Sequence, residues 1–276
     1  MPRFPVYLAL VVFATQAWAQ TGRQQSISAE DAQQFEDSLK RNPNDGEARG
    51  ALLTYYFGAQ KLDRAAVIEA RRRHILWFIE NAPGDDLAGS PAASIDASGQ
   101  PLADPEGYQL ASAAWHTRVA RKETSARELA NAASFFKLSD REFSIDLLER
   151  ALKLEPANPQ IAGFLGVSYA MAILGVTALN DSGYPMSTDQ RLAESPLAKK
   201  ARQTLETSQN VYALVRAGYT LSYQGSILRE MGKLSFDAAP LAEQTLVRAL
   251  NLDPGNDGIA EMLSQHRQMH KTTPTK

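Results

Sequence analysis

The 276-residue chain contains no cysteine, so it cannot form a disulfide, a thiolate metal site, a cysteine nucleophile or a lipid-modified cysteine. It also lacks an excess of either charge, because 29 Lys and Arg stand against 31 Asp and Glu. A broad basic surface for phosphates is therefore missing, and we expect no nucleic-acid partner. Hydrophobic residues make up 44% of the chain, and a chain of this length can bury a core without disulfides.

Residues 1–19 have the three features of an export signal in order. Arg3 makes a positive start, residues 6–14 are apolar, and Ala17-Trp18-Ala19 has the small-x-small pattern of a cleavage site. A buried first helix and an uncleaved anchor are the alternatives. We interpret residues 1–19 as a signal peptide followed by a short linker, 20–25, which predicts a periplasmic or secreted protein.

Two segments of the chain end in nearly the same way, LLERALKLEPANP at 147–159 and TLVRALNLDPGND at 245–257, and FEDSLKRNPND at 35–45 is a weaker copy. When Pro156 is numbered position 32 of a 34-residue period, the next repeat begins at Pro159. Leu165-Gly166 then falls at positions 7 and 8 and Tyr169 at position 11.

This pattern of small and large apolar residues resembles the tetratricopeptide repeat (TPR) family. The resemblance implies an all-α fold, an irregular TPR-like solenoid of about ten helices over residues 26–272. Asp104-Pro105 and Ser195-Pro196 are each typical of a helix start, and 211–231 and 239–252 form the last clear helix pair.

The segment 161–179 is uncharged and long enough to be a transmembrane candidate. A membrane span there would separate Leu165-Gly166-Tyr169 from the preceding repeat. The TPR resemblance therefore favours a buried helix that packs on helices before and after it.

Two loops, 83–104 and 180–195, are unusually long for a compact domain and are therefore candidates for function or disorder. Asp96, Asp104 and Tyr184 lie within them and offer an alternative site for a small ligand or a substrate. The acidic residues of the first loop lack the spacing of an EF-hand, so a solvated loop is the simpler interpretation.

Candidate catalytic and metal-binding groups are few. We find no Gly-x-Ser-x-Gly, no phosphate-binding glycine loop and no His-Glu-x-x-His. His266 and His270 share a helix face, but a position near the chain end favours a frayed terminus over a metal pair. The basic run 71–74 is interpreted as a solvated helix face. We therefore predict no enzyme, no metal and no cofactor.

In TPR proteins the first helix of each repeat lines a concave face that binds peptides. The resemblance carries this role onto five apolar anchors of a partner-binding face: Phe57, Leu129, Phe136, Val167 and Met171. Arg127 and Asn131 fall beside the positions that a peptide-carboxylate clamp requires, not on them. The alternative is that the aromatic anchors belong to the core or are covered by the loop 83–104.

These features together predict an exported, non-enzymatic scaffold that binds a protein or peptide partner. Two alternatives remain at this point. One is an enzyme or small-ligand receptor with a pocket under the long loops. The other is a self-assembling structural subunit of the cell envelope. Fold does not decide among them.

Overall fold

The computed structural model describes residues 27–58, 63–97, 102–180 and 183–271. The predicted signal peptide and linker lie outside these residues. The described part is almost wholly α-helical, as expected from the sequence, and contains twelve α-helices where about ten were predicted. They are α1 Ala29–Arg41, α2 Gly46–Gly58, α3 Arg64–Asn81, α4 Pro105–Val119, α5 Ala126–Phe136, α6 Arg141–Leu154, α7 Pro159–Ile173, α8 Gln190–Ala193, α9 Pro196–Thr207, α10 Val211–Glu230, α11 Ala239–Leu252 and α12 Asp257–Lys271.

Local side-chain chemistry sets where many of the helices begin. Asp104, Ser195 and Asn210 are N-caps whose side chains accept a hydrogen bond from a backbone N–H in the first turn of α4, α9 and α10. Pro105 and Pro196 occupy the first helical position, where a missing N–H costs nothing. Both helix starts that the sequence indicated are therefore confirmed.

The chain divides into two compact units, with the boundary after His74, inside α3. In the first unit α1 packs against α2. Ala32 and Leu39 of α1 and Ala48 and Leu52 of α2 are buried together, with the Tyr55 ring packed beside them. The first unit therefore has an apolar core of its own.

In the second unit, helices pack mainly on their neighbours in the sequence. α5 packs on α6, α6 on α7, α10 on α11, and α11 on α12, while α7 also contacts α9 and α10. Trp115, Ile145, Leu148, Leu214 and Leu246 are among the fully buried side chains of this core. The α7–α10 contact joins the two helices on which the candidate site depends.

The uncharged run 161–179 is a buried helix only as far as Ile173. Gly175 then adopts φ 64°, a conformation that favours glycine, and the chain continues into the strand β1, Val176–Leu179. β1 pairs antiparallel with β2, Pro185–Thr188, so the helix ends six residues before the end of the run. No helix among the described residues combines the length and apolar character that crossing a bilayer requires.

Neither long loop is structureless in its described part. Residues 180–195 contain β2 and α8. Residues 83–97 form two short 3₁₀ turns, Asp86–Gly89 and Pro91–Ala93, and bury Ala88 and Ala93. The first 3₁₀ turn packs against α5. In the acidic stretch 95–104, the interpretation as a solvated loop is confirmed for the exposed Asp96 and is wrong for the buried Asp104.

Candidate functional site

Three of the five predicted anchors belong to the core of the second unit. Leu129, Phe136 and Met171 are buried, and the Phe136 ring is only 1% exposed. It packs edge-on against Phe135 and Phe143, with ring centroids 4.9 and 5.1 Å apart. A partner cannot reach these side chains, so their assignment as surface anchors is wrong, and the core alternative holds for Phe136.

The other two predicted anchors, Val167 and Phe57, are more exposed than these three, and they belong to different units. Val167 on α7 is half-buried. Phe57 is 44% exposed, but it belongs to the first unit, where the Arg71 guanidinium lies 5.5 Å from its ring. Val167 therefore stays a candidate on the second unit, and Phe57 is an exposed ring of the first.

The error on α5 comes from the register of the repeat. Counting back from Pro156 places position 1 on Ser125, which is the N-cap, whereas position 1 on α7 is Pro159, the first helical residue. One residue corresponds to about 100° around a helix, so the numbering selected the buried side of α5. With the first helical residue, Ala126, as position 1, the outer positions 2, 6 and 9 of α5 are Arg127, Asn131 and Ser134, and position 13 is Leu138, just beyond the end of the helix.

That outer face of α5 is occupied by the chain itself. We call residues 83–97 the covering segment. Asn131 donates from Nδ2 to the carbonyl oxygens of Pro83 and Asp85, at 2.8 and 2.7 Å, and Ser134 donates to the carbonyl of Gly89 at 2.8 Å. Arg127 pairs with Asp86. The side chains of α5 therefore hold the covering segment mainly through hydrogen bonds to its backbone carbonyl oxygens.

The same four positions on α10 are more open, although two of them, Arg216 and Tyr219, are half-buried. They are Tyr212, Arg216, Tyr219 and Tyr223, with Tyr212 57% and Tyr223 37% exposed. The rings of Tyr219 and Tyr223 lie nearly parallel, 12° apart in orientation, with centroids 5.7 Å apart. Arg216, Tyr219 and Tyr223 follow Tyr212 by about one, two and three helical turns. This spacing is visible in the sequence, but it was missed because only the register of the earlier repeats was followed.

Arg216 lies in the middle of this row. Its aliphatic stem packs on α7, since a Cβ added at Gly163 would lie 3.2 Å from the Arg216 Cγ. Among the described residues no carboxylate pairs with its guanidinium. The Arg216 charge also affects Tyr219. Burial raises the pKa of Tyr219, Tyr223 and Tyr184 raise it further, and the charge of Arg216 lowers it.

The β1–β2 hairpin adds a fifth side chain. β2 packs on α10, and Tyr184, just before β2, is 48% exposed and close enough to influence the pKa of Tyr219. The hairpin is anchored at its base, where the Asp189 N–H donates to the Gly175 carbonyl at 2.8 Å. We call Tyr184, Tyr212, Arg216, Tyr219 and Tyr223 the tyrosine surface. Exposed tyrosine beside arginine is the composition typical of binding hot spots.

The close approach of α7 to α10 fixes this surface in place. A Cβ at Gly166 would overlap the carbonyl oxygen of Ala213, and Ala213 follows Tyr212 directly. Gly166 is one of the residues that carry the TPR resemblance. A small residue at this position lets α10 lie against α7, which holds the row of tyrosines on a packed helix.

A polar cluster lies in the first unit, where the sequence indicated a solvated basic run. His74 is fully buried and Arg71 is 5% exposed, so that interpretation is wrong for both. Glu36 Oε1 accepts from Tyr56 at 3.0 Å and Arg73 at 2.7 Å, and lies 3.4 Å from His74 Nε2. Glu36 lies 37 residues or more before Arg73 and His74, a pairing that no local pattern reveals.

Burial sets the charge states in this cluster. It lowers the pKa of His74 to about 4, with Arg73 and Arg49 acting in the same direction against Glu36. Burial, together with the Glu36 hydrogen bond, raises the pKa of Tyr56 to about 12. His74 is therefore neutral at pH 7. Its Nδ1 accepts from Arg49 at 3.3 Å and its Nε2–H faces Glu36, an arrangement that joins α1, α2 and α3.

The histidine pair near the chain end is also structural. His266 is 3% exposed, not on a frayed terminus as predicted, and its Nδ1 lies 2.7 Å from the Ser222 hydroxyl of α10. Burial, and then His270, lowers the pKa of His266, while Glu243 raises it. Among the described residues no group of three or more potential ligands could hold a metal ion.

Two of the residues offered for a pocket under the loops are adjacent, because the Asp104 N–H donates to the Asp96 carbonyl at 2.8 Å. Asp104 is buried and its carboxylate caps α4, accepting from the Gly107 N–H at 2.9 Å. Asp96 is exposed; burial lowers the pKa of Lys137, directly after α5, and Asp96 raises it. Tyr184 belongs to the tyrosine surface. A groove of about 290 Å³ does lie beside β2, lined by Thr188, Gln190 and Lys233 among others. These residues form no nucleophile, base or acid arrangement that would support a reaction.

Comparison with known proteins assigns no family. The chain matches no protein-family model, and no curated protein has a sequence similar enough to count as a relative.

Proposed function

We propose that the protein is an exported, non-enzymatic, TPR-like scaffold that binds a segment of a partner protein on the tyrosine surface. The export signal is read from residues 1–19, and the TPR resemblance from the segment around Leu165-Gly166-Tyr169. Both remain part of the proposal. The observation that carries it is the more open row Tyr212, Arg216, Tyr219 and Tyr223 on α10.

The contrast with α5 supports this choice of surface. At the same positions α5 is closed by the covering segment, while on α10 the rings of Tyr212 and Tyr223 are exposed. Large side chains that are half exposed on a well-packed helix lose little conformational freedom on binding. Val167 on the adjacent α7 provides apolar area at the equivalent position.

The test is affinity capture from native envelope extract after mild crosslinking, with mature wild type and with the double variant Tyr219→Ala/Tyr223→Ala. We expect one recurrent partner with wild type and its loss with the variant, because the removed rings supply the contact area. The matched control is Leu110→Ala/Leu154→Ala, which removes two exposed leucines of α4 and α6.

Capture that is equal for all three proteins would refute the tyrosine surface as the binding site. Self-association that disappears in the tyrosine variant would instead favour the structural-subunit alternative. Circular dichroism must show the same helical signal for the three proteins, so that a loss of binding is not a loss of fold.

A further inference from the structure

The helix α12 is held against its neighbours by a row of buried side chains that includes a histidine. α12 packs on α11 and, to a lesser extent, on α10. Ile259, Leu263 and His266 of α12 are buried, and their spacing of four and three residues places them along one helix face. In this row His266 is the side chain that can change its charge near neutral pH.

Both ring nitrogens of His266 face polar groups of the neighbouring helices. Nδ1 lies 2.7 Å from the Ser222 hydroxyl of α10, and Nε2 lies 3.9 Å from a carboxylate oxygen of Glu243 on α11. The ring of His270, one turn further along α12, lies 4.5 Å from that of His266 between centroids. Nε2 of His270 is buried and has no hydrogen-bond partner among the described residues. Two imidazoles thus lie side by side at the contact of α12 with the helices beneath it.

The carboxylates that could compensate a positive charge on His266 are already shared with arginines. Glu243 accepts from Nε of Arg267 at 2.8 Å. Asp237, in the segment before α11, pairs with Arg229 of α10 at 2.7 Å. A proton on His266 would therefore place a charge on a buried ring beside Arg267 and a second imidazole, with no carboxylate reserved for it.

Burial is the main reason that a proton on His266 is unfavourable. It lowers the pKa of His266 below the ordinary value of 6.5, and the charges of His270 and Arg267 act in the same direction. Glu243 and Asp237 raise this pKa, but they do not reverse the effect of burial. An exposed imidazole therefore takes up a proton more readily than the packed one. The packing of α12 is strongest above pH 6.5 and weakens as the pH falls toward the lowered pKa.

We propose that α12 is an acid-released helix: protonation of the His266–His270 pair detaches it from α10 and α11, while α5, α6 and α7 stay folded. The helices of the second unit pack mainly on their sequence neighbours, so the release of a helix at one end breaks the contacts of that end only. Local opening of this kind costs less free energy than global unfolding. The proposal goes beyond partner binding and does not depend on the tyrosine surface.

The test is hydrogen–deuterium exchange of the mature full chain at pH 7.5 and pH 5.0, with labelling times scaled to the intrinsic exchange rate at each pH. We expect peptides from residues 257–271 to lose protection at pH 5.0, while peptides from α5, α6 and α7 keep theirs. The chain has four histidines, which allows two matched double variants. His266→Gln/His270→Gln should abolish the acid-induced loss in α12, and His74→Gln/His116→Gln should retain it.

Equal protection of α12 at both pH values in wild type would overturn the proposal. So would a loss shared equally by α5, α6 and α7, or one that persists in His266→Gln/His270→Gln. Arg267→Gln decides the question if glutamine at the histidine positions already loosens α12 at pH 7.5. Arg267 is half exposed, and its replacement removes a positive neighbour and frees Glu243 for the imidazole. The loss of protection between pH 7.5 and pH 5.0 should then be smaller than in wild type, and an equal or larger loss would refute the charge mechanism.

Discussion

Acidification should destabilise the first unit through His74. The buried imidazole has its pKa lowered to about 4, whereas in the unfolded chain it titrates near 6.5. Between these values the unfolded state binds more protons than the folded state, so the stabilisation is present above pH 6.5 and is lost as the pH falls toward 4. At pH 5 the loss should be about 2 kcal/mol, from one and a half pH units at about 1.4 kcal/mol each.

The assay is urea unfolding followed by circular dichroism at pH 7.5 and pH 5.0. His74→Gln removes the titrating group and keeps one hydrogen-bond donor and one acceptor. From pH 7.5 to pH 5.0 the free energy of unfolding should therefore fall by about 2 kcal/mol less in this variant than in wild type. His116→Gln, which replaces an exposed histidine of the second unit, is the control variant. Equal pH dependence in wild type and His74→Gln would refute the assignment of a buried neutral imidazole.

Three further predictions concern packing. Phe136→Ala should lower the free energy of unfolding by about 3–5 kcal/mol, whereas Phe57→Ala should cost about 1 kcal/mol or less, and equal losses in chemical denaturation would contradict the core assignment. Gly166→Ala should cost about 1–3 kcal/mol, because its Cβ meets backbone of the facing helix. Gly163→Ala should cost less, since its Cβ meets only a flexible side chain, and the reverse order of melting temperatures would refute this. Asn131→Ala should release the covering segment and speed its cleavage in limited proteolysis, and an unchanged cleavage rate would show that the two amide hydrogen bonds do not hold it.

The elements that the sequence predicted well are those set by local chemistry. Asp104-Pro105 and Ser195-Pro196 begin helices because a capping oxygen and a proline act within one turn. The repeated ends at 147–159 and 245–257 likewise fall on α6 and α11. The hairpin was missed because residues 161–179 were interpreted as one uninterrupted buried helix, whereas Gly175 follows the end of α7 with a positive φ.

The site could be predicted only in part, because side-chain exposure depends on what lies outside the helix. A one-residue error in register moved the predicted face of α5 from its outer to its inner side. Even with the correct register, this face of α5 would have been predicted as exposed. It is covered because Asn131 donates to backbone carbonyl oxygens that lie more than 45 residues earlier in the sequence. The burial of His74 likewise depends on Glu36, far along the chain.

The α5 and α10 faces use the same helix positions, but the α5 face is covered by the chain itself and the α10 face is more exposed. On α5, the short polar side chains of Asn131 and Ser134 lie close to the helix, and a segment with backbone carbonyl acceptors packs directly on them. On α10 the equivalent side chains are three tyrosines and an arginine, which extend too far for a segment to lie against the helix backbone but offer a broad apolar surface with donors at its edge. Tyrosine tolerates this exposure because its hydroxyl stays hydrated while its ring remains available for contact. On the proposed function, the sequence differences at these positions leave the α10 face available to a partner, while the α5 face is satisfied within the chain.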